Sequence, residues 1–285
     1  MPISLPIGLR LHDAAPGTLS QRLAMAREQG FTCAHLALSK TVEGFQMSQA
    51  ATRLTDAYAA EIKALFDANN QACALLGCYQ QLTDPNPETL AATQNCYRAH
   101  LRFAPQMAAQ LVGTETPAGS LTFEKPAPQS EEAFHLFVNG LRPVVRWAEE
   151  EGVRLAVEPV ARHVISTPER AERLLDEIKS DQLFIILDVV NLLTSETAMD
   201  YEAITEDAIR RLDGRIALLH MKDFVLEEGA ARLKAVACGT GTMRYEQLMR
   251  YSLRRHLPMT LENTRPDNAV FAREYLENAA RQLQK

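Results

Sequence analysis

The chain has 285 residues, 46% of them hydrophobic and 23% charged, with a formal net charge of −6. This is ordinary globular composition with enough apolar material for a large core in one domain, and the acidic balance excludes an overall basic field for nucleic acid or an anionic membrane. Five cysteines (Cys33, Cys73, Cys78, Cys96, Cys238), odd in number and without a CxxC, predict reduced thiols in a cytoplasmic protein and no sulfur-held metal.

Met1 to Gly8 carries neither a basic start nor a continuous apolar stretch, and no run of about 18 apolar residues occurs anywhere, so neither export nor membrane spanning is expected. Ile7 to Leu11 reads as a first strand. Thr18 with Gln21 can form a capping box for a helix that closes at Gly30, and Phe31 to Leu38 follows as strand two. The polar segment Lys40 to Leu54 is longer than an ordinary strand-to-helix connection and is a candidate lid. Thr55 to Asn70 is helical, with Ala59, Ile62, Leu65 and Phe66 on one face, and Gln71 to Tyr79 is apolar almost throughout, as a strand buried on both faces should be.

Asn86 and Pro87 fit the cap and first position of a helix running to about Phe103, ahead of a fourth strand over Gln110 to Thr116. Pro117 to Gln129 is a second long connection and a second candidate lid. Ser130 caps a long helix ending before Gly152, in which Pro143 predicts a kink or break. Arg154 to Val160 is strand five, Thr167-Pro168 opens a helix, and strand six ends near Asp188. A helix over about Asp200 to Leu212 precedes strand seven, which ends at His220. The next connection, through Cys238-Gly-Thr-Gly241, is long enough for a small hairpin. A helix near Tyr245 to His256, a strand near Met259 to Asn263 and a last helix capped by Asp267 complete eight alternating units. The expectation is one (β/α)8 barrel, residues 1–285, closed in sequence order.

Strands five to eight share a design: each apolar run ends in a metal-ligand type of side chain, Glu158, Asp188, His220 and Glu262, at gaps of 30, 32 and 42 residues. Burying an ionised carboxylate beside Val157 and Pro159 costs several kcal/mol unless a cation or donors meet it. Alternation along each strand puts Ala156 and Glu158, Phe184, Ile186 and Asp188, Ile216, Leu218 and His220, and Pro258, Thr260 and Glu262 toward the barrel axis. Active sites in such barrels lie at the C-terminal strand ends, so the four would converge there. Three crowded carboxylates repel unless a divalent ion neutralises them. An O3N donor set suits Mn2+ or Mg2+, with Co2+ or Zn2+ admitted by the imidazole.

The ordered set Leu-Ala-Val-Glu158-Pro, Leu-Asp188-Val-Val-Asn191, Leu-His220-Met-Lys222-Asp223, Gly239-Thr-Gly241 and Leu-Glu262-Asn resembles the xylose-isomerase-like barrel family of sugar and sugar-phosphate isomerases and epimerases. The resemblance spans nearly the whole chain. It implies a (β/α)8 fold, one divalent metal held by Glu158, Asp188, His220 and Glu262, and catalysis by Glu158 and Glu262 as proton carriers on a small sugar or sugar phosphate. Ketose 3-epimerases of the family carry a substrate-binding His three residues after the strand-six Asp. Here that position is Asn191, which can bond a hydroxyl but not become charged.

The reaction such a site supports is metal-stabilised enediolate formation, with proton return to the opposite face giving epimerisation and return to the neighbouring carbon giving isomerisation. His12, Tyr79, Glu115, Asn191 and Lys222, at or beyond strand ends, are substrate-binding candidates, and Arg265 is a candidate for holding an anionic group. Gly239-Thr-Gly241 lies where barrels often bind phosphate. His35 and His163 read as structural. Alternatives are a metal-dependent keto-polyol dehydratase, an apurinic-site endonuclease and a non-catalytic sugar-binding barrel. The endonuclease reading fits poorly, because Tyr79 and Glu115 stand where extra zinc-binding histidines would be needed and the net charge is negative. A homo-oligomer is compatible with the sequence.

Overall fold

A computed structural model describes residues 5–116, 127–227, 229, 230 and 232–283. Its strands are β1 (Ile7–Arg10), β2 (Cys33–Leu36), β3 (Ala72–Gly77), β4 (Val112–Glu115), β5 (Leu155–Glu158), β6 (Leu183–Leu187), β7 (Ile216–Met221), β8 (Asp223–Val225), β9 (Lys234–Val236) and β10 (Met259–Leu261). All strands but β8 and β9 pair in parallel around a closed barrel in the order β1-β10-β7-β6-β5-β4-β3-β2. β8 and β9 form the small antiparallel hairpin for which the sequence left room.

Helices α1 (Leu19–Glu28), α2 (Leu38–Thr41), α3 (Ala50–Arg53), α4 (Asp56–Ala68), α5 (Pro87–Gln106), α6 (Glu131–Glu151), α7 (Pro168–Ile178), α8 (Tyr201–Leu212), α9 (Glu246–Arg255) and α10 (Ala269–Gln282) surround the strands. Thr18 and Gln21 make the reciprocal capping box, and Asn86, Ser130 and Thr167 each accept a backbone N–H at their helix starts. Pro143 does not end α6. The helix runs through it, with Phe134, Phe137, Val138, Leu141, Val144 and Val145 buried on both sides of the proline. Continuous packing against the barrel outweighs the missing backbone donor.

The core has two layers. A small inner one, with Cys33, Ala74, Leu75, Leu111, Ala156, Ile186 and Leu218, fills the barrel, and a larger outer one joins the strands to the helices. Small side chains inside let the strands close on one another. Two register shifts break strict alternation, one beside Ala34/His35 and one beside Ile185/Ile186. The second corrects the expectation for β7: Ile216 belongs to the outer layer, while Ala217 and Leu218 both reach the inner one. Beyond the bulge the pattern resumes with His220 at the mouth.

The segment over 40–54 is not free of the core, as a simple lid would be. Phe45, Ala50 and Leu54 are buried, and the Cys96 thiol on α5 donates to the Met47 carbonyl (3.4 Å). The other candidate lid lies outside the described residues over 117–126. The five cysteines are free and buried. Among the described residues no helix is long and apolar enough to cross a membrane.

Candidate active site

Barrel order brings β5, β6, β7 and β10 side by side, so Glu158, Asp188, His220 and Glu262 form a continuous arc at the C-terminal mouth. Their exposures are 1%, 1%, 2% and 6%. His220 Nδ1 lies 3.1 Å from Glu158 Oε2 and 3.3 Å from Glu262 Oε1. Ligand-type atoms of Glu158, Asp188 and His220 lie within 4.8 Å of one another, as do those of His35, His220 and Glu262. Yet both His220 ring nitrogens and Asp188 Oδ2 are buried without a hydrogen bond of sound geometry. Lone pairs that crowd together without bonding each other face a shared space, and an oxygen-rich, one-nitrogen donor set fits a divalent ion there.

Without such an ion, neighbouring side chains supply the positive charge. Lys222 Nζ lies 2.9 Å from Asp188 Oδ2 and 3.3 Å from Glu262 Oε2, and Arg10 Nη1 lies 3.0 Å from Glu262 Oε1. Burial alone would raise the Glu262 pKa, but His220, Lys222 and Arg10 outweigh it and hold the group well below the usual carboxylate range. Asp188 is pushed up to about 6, by burial and by Glu158 and Glu262 against the pull of Lys222. His220 is raised to about 9, because Glu262 and Glu158 overcome its desolvation. Glu115, in register with Glu158 on the next strand, is raised to about 7 by burial and then by Glu158 and Glu262.

The remaining strand ends complete the ring. Tyr79 Oη and His35 Nε2 are 2.9 Å apart, His35 stacks on His220 at 5.5 Å, and His12 meets His35 edge-on. Burial, then the carboxylates Glu158, Glu262 and Glu115, raise the Tyr79 pKa, so its phenol stays a neutral donor. His12 falls to about 3 through burial and the nearby Arg10 and Lys40. Asn191 donates to Glu158 Oε1 (2.5 Å) and accepts from Lys222 Nζ (2.7 Å), linking two of the crowded groups. Thus His12, Tyr79, Glu115, Asn191 and Lys222 gather around the arc.

Two expectations change. Arg265 is on the surface, its side chain 73% exposed and 3.3 Å from Asp267, so it is an exposed ion pair and not part of the cluster. Gly239-Thr-Gly241 does form a ring of donors, but the Asp223 carboxylate already fills it, accepting from the backbone N–H groups of Phe224, Gly239, Gly241 and Met243 at 2.8–3.1 Å. A Cβ on Gly241 would lie 2.5 Å from Asp223 Oδ1, so glycine is what allows this close approach.

Sequence reasoning missed Arg10 and set His35 aside as structural. Both carry the signal that marked Glu158, a polar side chain with inward parity near a strand end: Arg10 shares the parity of Gly8 and His35 that of Cys33. Lys40, over the Tyr79 ring at 5.7 Å, was missed as well. Its position depends on how the 40–54 segment packs.

A family model described as xylose isomerase-like TIM barrel matches residues 23–277. No curated protein matches the chain by sequence. Three solved structures share the fold over nearly their whole length. A D-tagatose 3-epimerase-like protein has 14% identity and a TM-score of 0.75, with 98% of each chain covered. The 3-keto-D-glucoside 4-epimerase of E. coli, in its apo form, has 15% identity and a TM-score of 0.71, with 99% of each chain covered. A xylose isomerase-like TIM barrel protein from Mycobacterium smegmatis, in complex with magnesium, has 16% identity and a TM-score of 0.70, covering 99% of this chain and 97% of its own.

Proposed function

The chain belongs to the xylose isomerase-like TIM barrel family, and from that premise we propose that it is a divalent-metal-dependent isomerase or epimerase of a keto sugar, with Glu158 and Glu262 as the two proton carriers. One observation carries this reading. The two glutamates stand at opposite ends of the four-strand arc, and both approach the same imidazole, at 3.1 and 3.3 Å. Carboxylates so arranged can address a substrate from two sides.

A bound Mg2+ or Mn2+ would supply Lewis-acid stabilisation of the carbonyl and its neighbouring hydroxyl as the carbon-bound proton leaves. Glu158, Asp188, His220 and Glu262 are the residues that would hold it. Arg10 and Lys222 keep Glu262 ionised, the form in which it would ligate a metal. Asn191 fixes Glu158 by a short bond to one carboxylate oxygen and leaves the other toward His220. Tyr79, held neutral and braced by His35, offers its hydroxyl to the substrate. Proton return to the opposite face inverts the centre, and return to the adjacent carbon isomerises the sugar.

A dehydratase of a keto-polyol is favoured by one feature, the pairing of Glu115 in register with Glu158, which puts a third carboxyl where it could protonate a departing hydroxyl. A panel of ketoses, ketose phosphates and inososes incubated with Mn2+ in D2O separates these readings. Solvent deuterium entering a recovered epimer or isomer supports the proposal, a dehydrated product supports the alternative, and no exchange from any member overturns both.

A further inference from the structure

Next to the metal-type cluster, on the far side of Asn191, lies a cavity of about 500 Å³. Its walls come from three connections at the barrel mouth, after β5, after β6 and between β8 and β9, with Pro128 at the edge. Among the described residues, Arg162 and Arg232 are its only charged lining residues, and no carboxylate is in its lining. Both arginines are exposed, and neither has an ion-pair partner among the described residues. His163, in the same wall, has a buried Nδ1 without a hydrogen-bond partner. In a chain of net charge −6, two guanidiniums without an acid partner among the described residues thus lie near a carboxylate-rich centre.

We infer that this cavity binds an anionic terminal group of the substrate, a phosphate or a carboxylate, while the sugar's reacting carbons sit over the arc of Glu158, Asp188, His220 and Glu262. The assignment rests on the proposed sugar-converting reading and refines its substrate class. Guanidinium groups match phosphate and carboxylate oxygens with paired N–H donors. Asn191 joins the two parts, since it lines the cavity while its amide holds Glu158 and Lys222. A substrate reaching from one to the other passes along a single side chain. Two cations at the cavity's far end would also draw an anionic group inward during approach. Of the anion candidates read from the sequence, the Gly239 and Gly241 amides are engaged by Asp223, and Arg265 lies exposed on the surface, outside the cluster.

The first test needs neither metal nor turnover. Metal-stripped protein is titrated with inorganic phosphate, followed by calorimetry at low and at physiological salt, for the wild type, the Arg162→Ala/Arg232→Ala double variant and Arg265→Ala. Phosphate should bind the wild type and Arg265→Ala alike, more weakly at higher salt, and at least about tenfold more weakly to the double variant. Absent binding, or equal binding to the double variant, overturns the inference. Both changed arginines are exposed, and unchanged thermal midpoints would verify folding. A second arm compares a ketose phosphate, a keto-aldonate and the neutral ketose in the D2O exchange assay. The double variant should lower the preference for whichever anionic form is the substrate, by raising its KM with little change in kcat. Exchange confined to neutral ketoses overturns the cavity's role but leaves the isomerase reading standing. Phosphate binding without any exchange does the reverse.

Discussion

The barrel mouth has two halves built on the same strand geometry and carrying different chemistry. On β5, β6, β7 and β10 the strand ends present Glu158, Asp188, His220 and Glu262, three acids around one imidazole. On β1 to β4 they present Arg10, His35, Tyr79 and Glu115, which brace one another or the first half. The halves meet at two seams, and the seams differ. Between β10 and β1, opposite charges meet, Arg10 on Glu262 at 3.0 Å. Between β5 and β4, like charges meet, Glu158 in register with Glu115. Two glutamates that look equivalent in the sequence therefore work in different surroundings, Glu262 with cations on both sides and Glu158 with an amide and a neighbouring acid.

The largest effects should come from removing a base at either end of the arc. Glu158→Gln and Glu262→Gln keep a coordinating oxygen, so Mn2+ retained after desalting should persist while turnover falls about 10²–10⁴-fold. Each variant should lose D2O exchange from one epimer more than from the other. Equal losses from both epimers in both variants would show one base at work and dissolve the distinction between the seams.

Next in size is the brace at the opposite-charge seam. Arg10→Ala frees Glu262 from its guanidinium and should lower metal affinity or kcat/KM by about 10–100-fold, as loss of an outer partner of a metal site does. Arg10→Lys should recover part of it, since the charge returns without the fork. If Arg10→Ala matches wild type in both measurements, the two halves do not cooperate.

Acid should act on the half that carries Glu158, Asp188, His220 and Glu262. Asp188 without metal holds its proton up to about pH 6 and His220 up to about pH 9, and binding requires both protons to leave. Metal affinity should therefore fall by about tenfold per unit as pH drops below about 9 and by about a hundredfold per unit below about 6. Calorimetry in buffers of different ionisation heat would also show about one proton released on binding at pH 8 and about two below pH 6. A slope that does not steepen below pH 6 would mean that Asp188 does not enter the site's titration.

The smallest effect belongs to the strand-eight loop. Arg265→Ala should change stability by no more than about 0.5 kcal/mol and leave exchange rates alone, because an exposed ion pair contributes little. A tenfold loss of activity there would bring Arg265 back into the site.

Much of this was written in the chain. Alternating apolar runs and helix caps gave eight βα units, because buried strands and capped helix starts are local requirements that leave local traces. The same parity rule that found Glu158, Asp188, His220 and Glu262 also pointed Arg10 and His35 inward. What it lacked was a reason to prefer them over satisfied core residues, and that reason is a neighbour on another strand. Arg10 meets Glu262 across 252 residues of sequence because β1 closes the barrel on β10.

By itself, the sequence determined which strand ends carry carboxylate and imidazole side chains, since a charged residue closing an apolar run has to be met by something wherever the run is buried. The tertiary structure decided who meets whom. Barrel closure made neighbours of β1 and β10, the bulge in β7 restored His220 to the mouth after Ile216 had gone outward, and Asp223 filled the glycine ring that would otherwise have been open to phosphate. Each outcome depends on strand register and distance in space, which are set by packing the whole barrel, so no local stretch of sequence contains them.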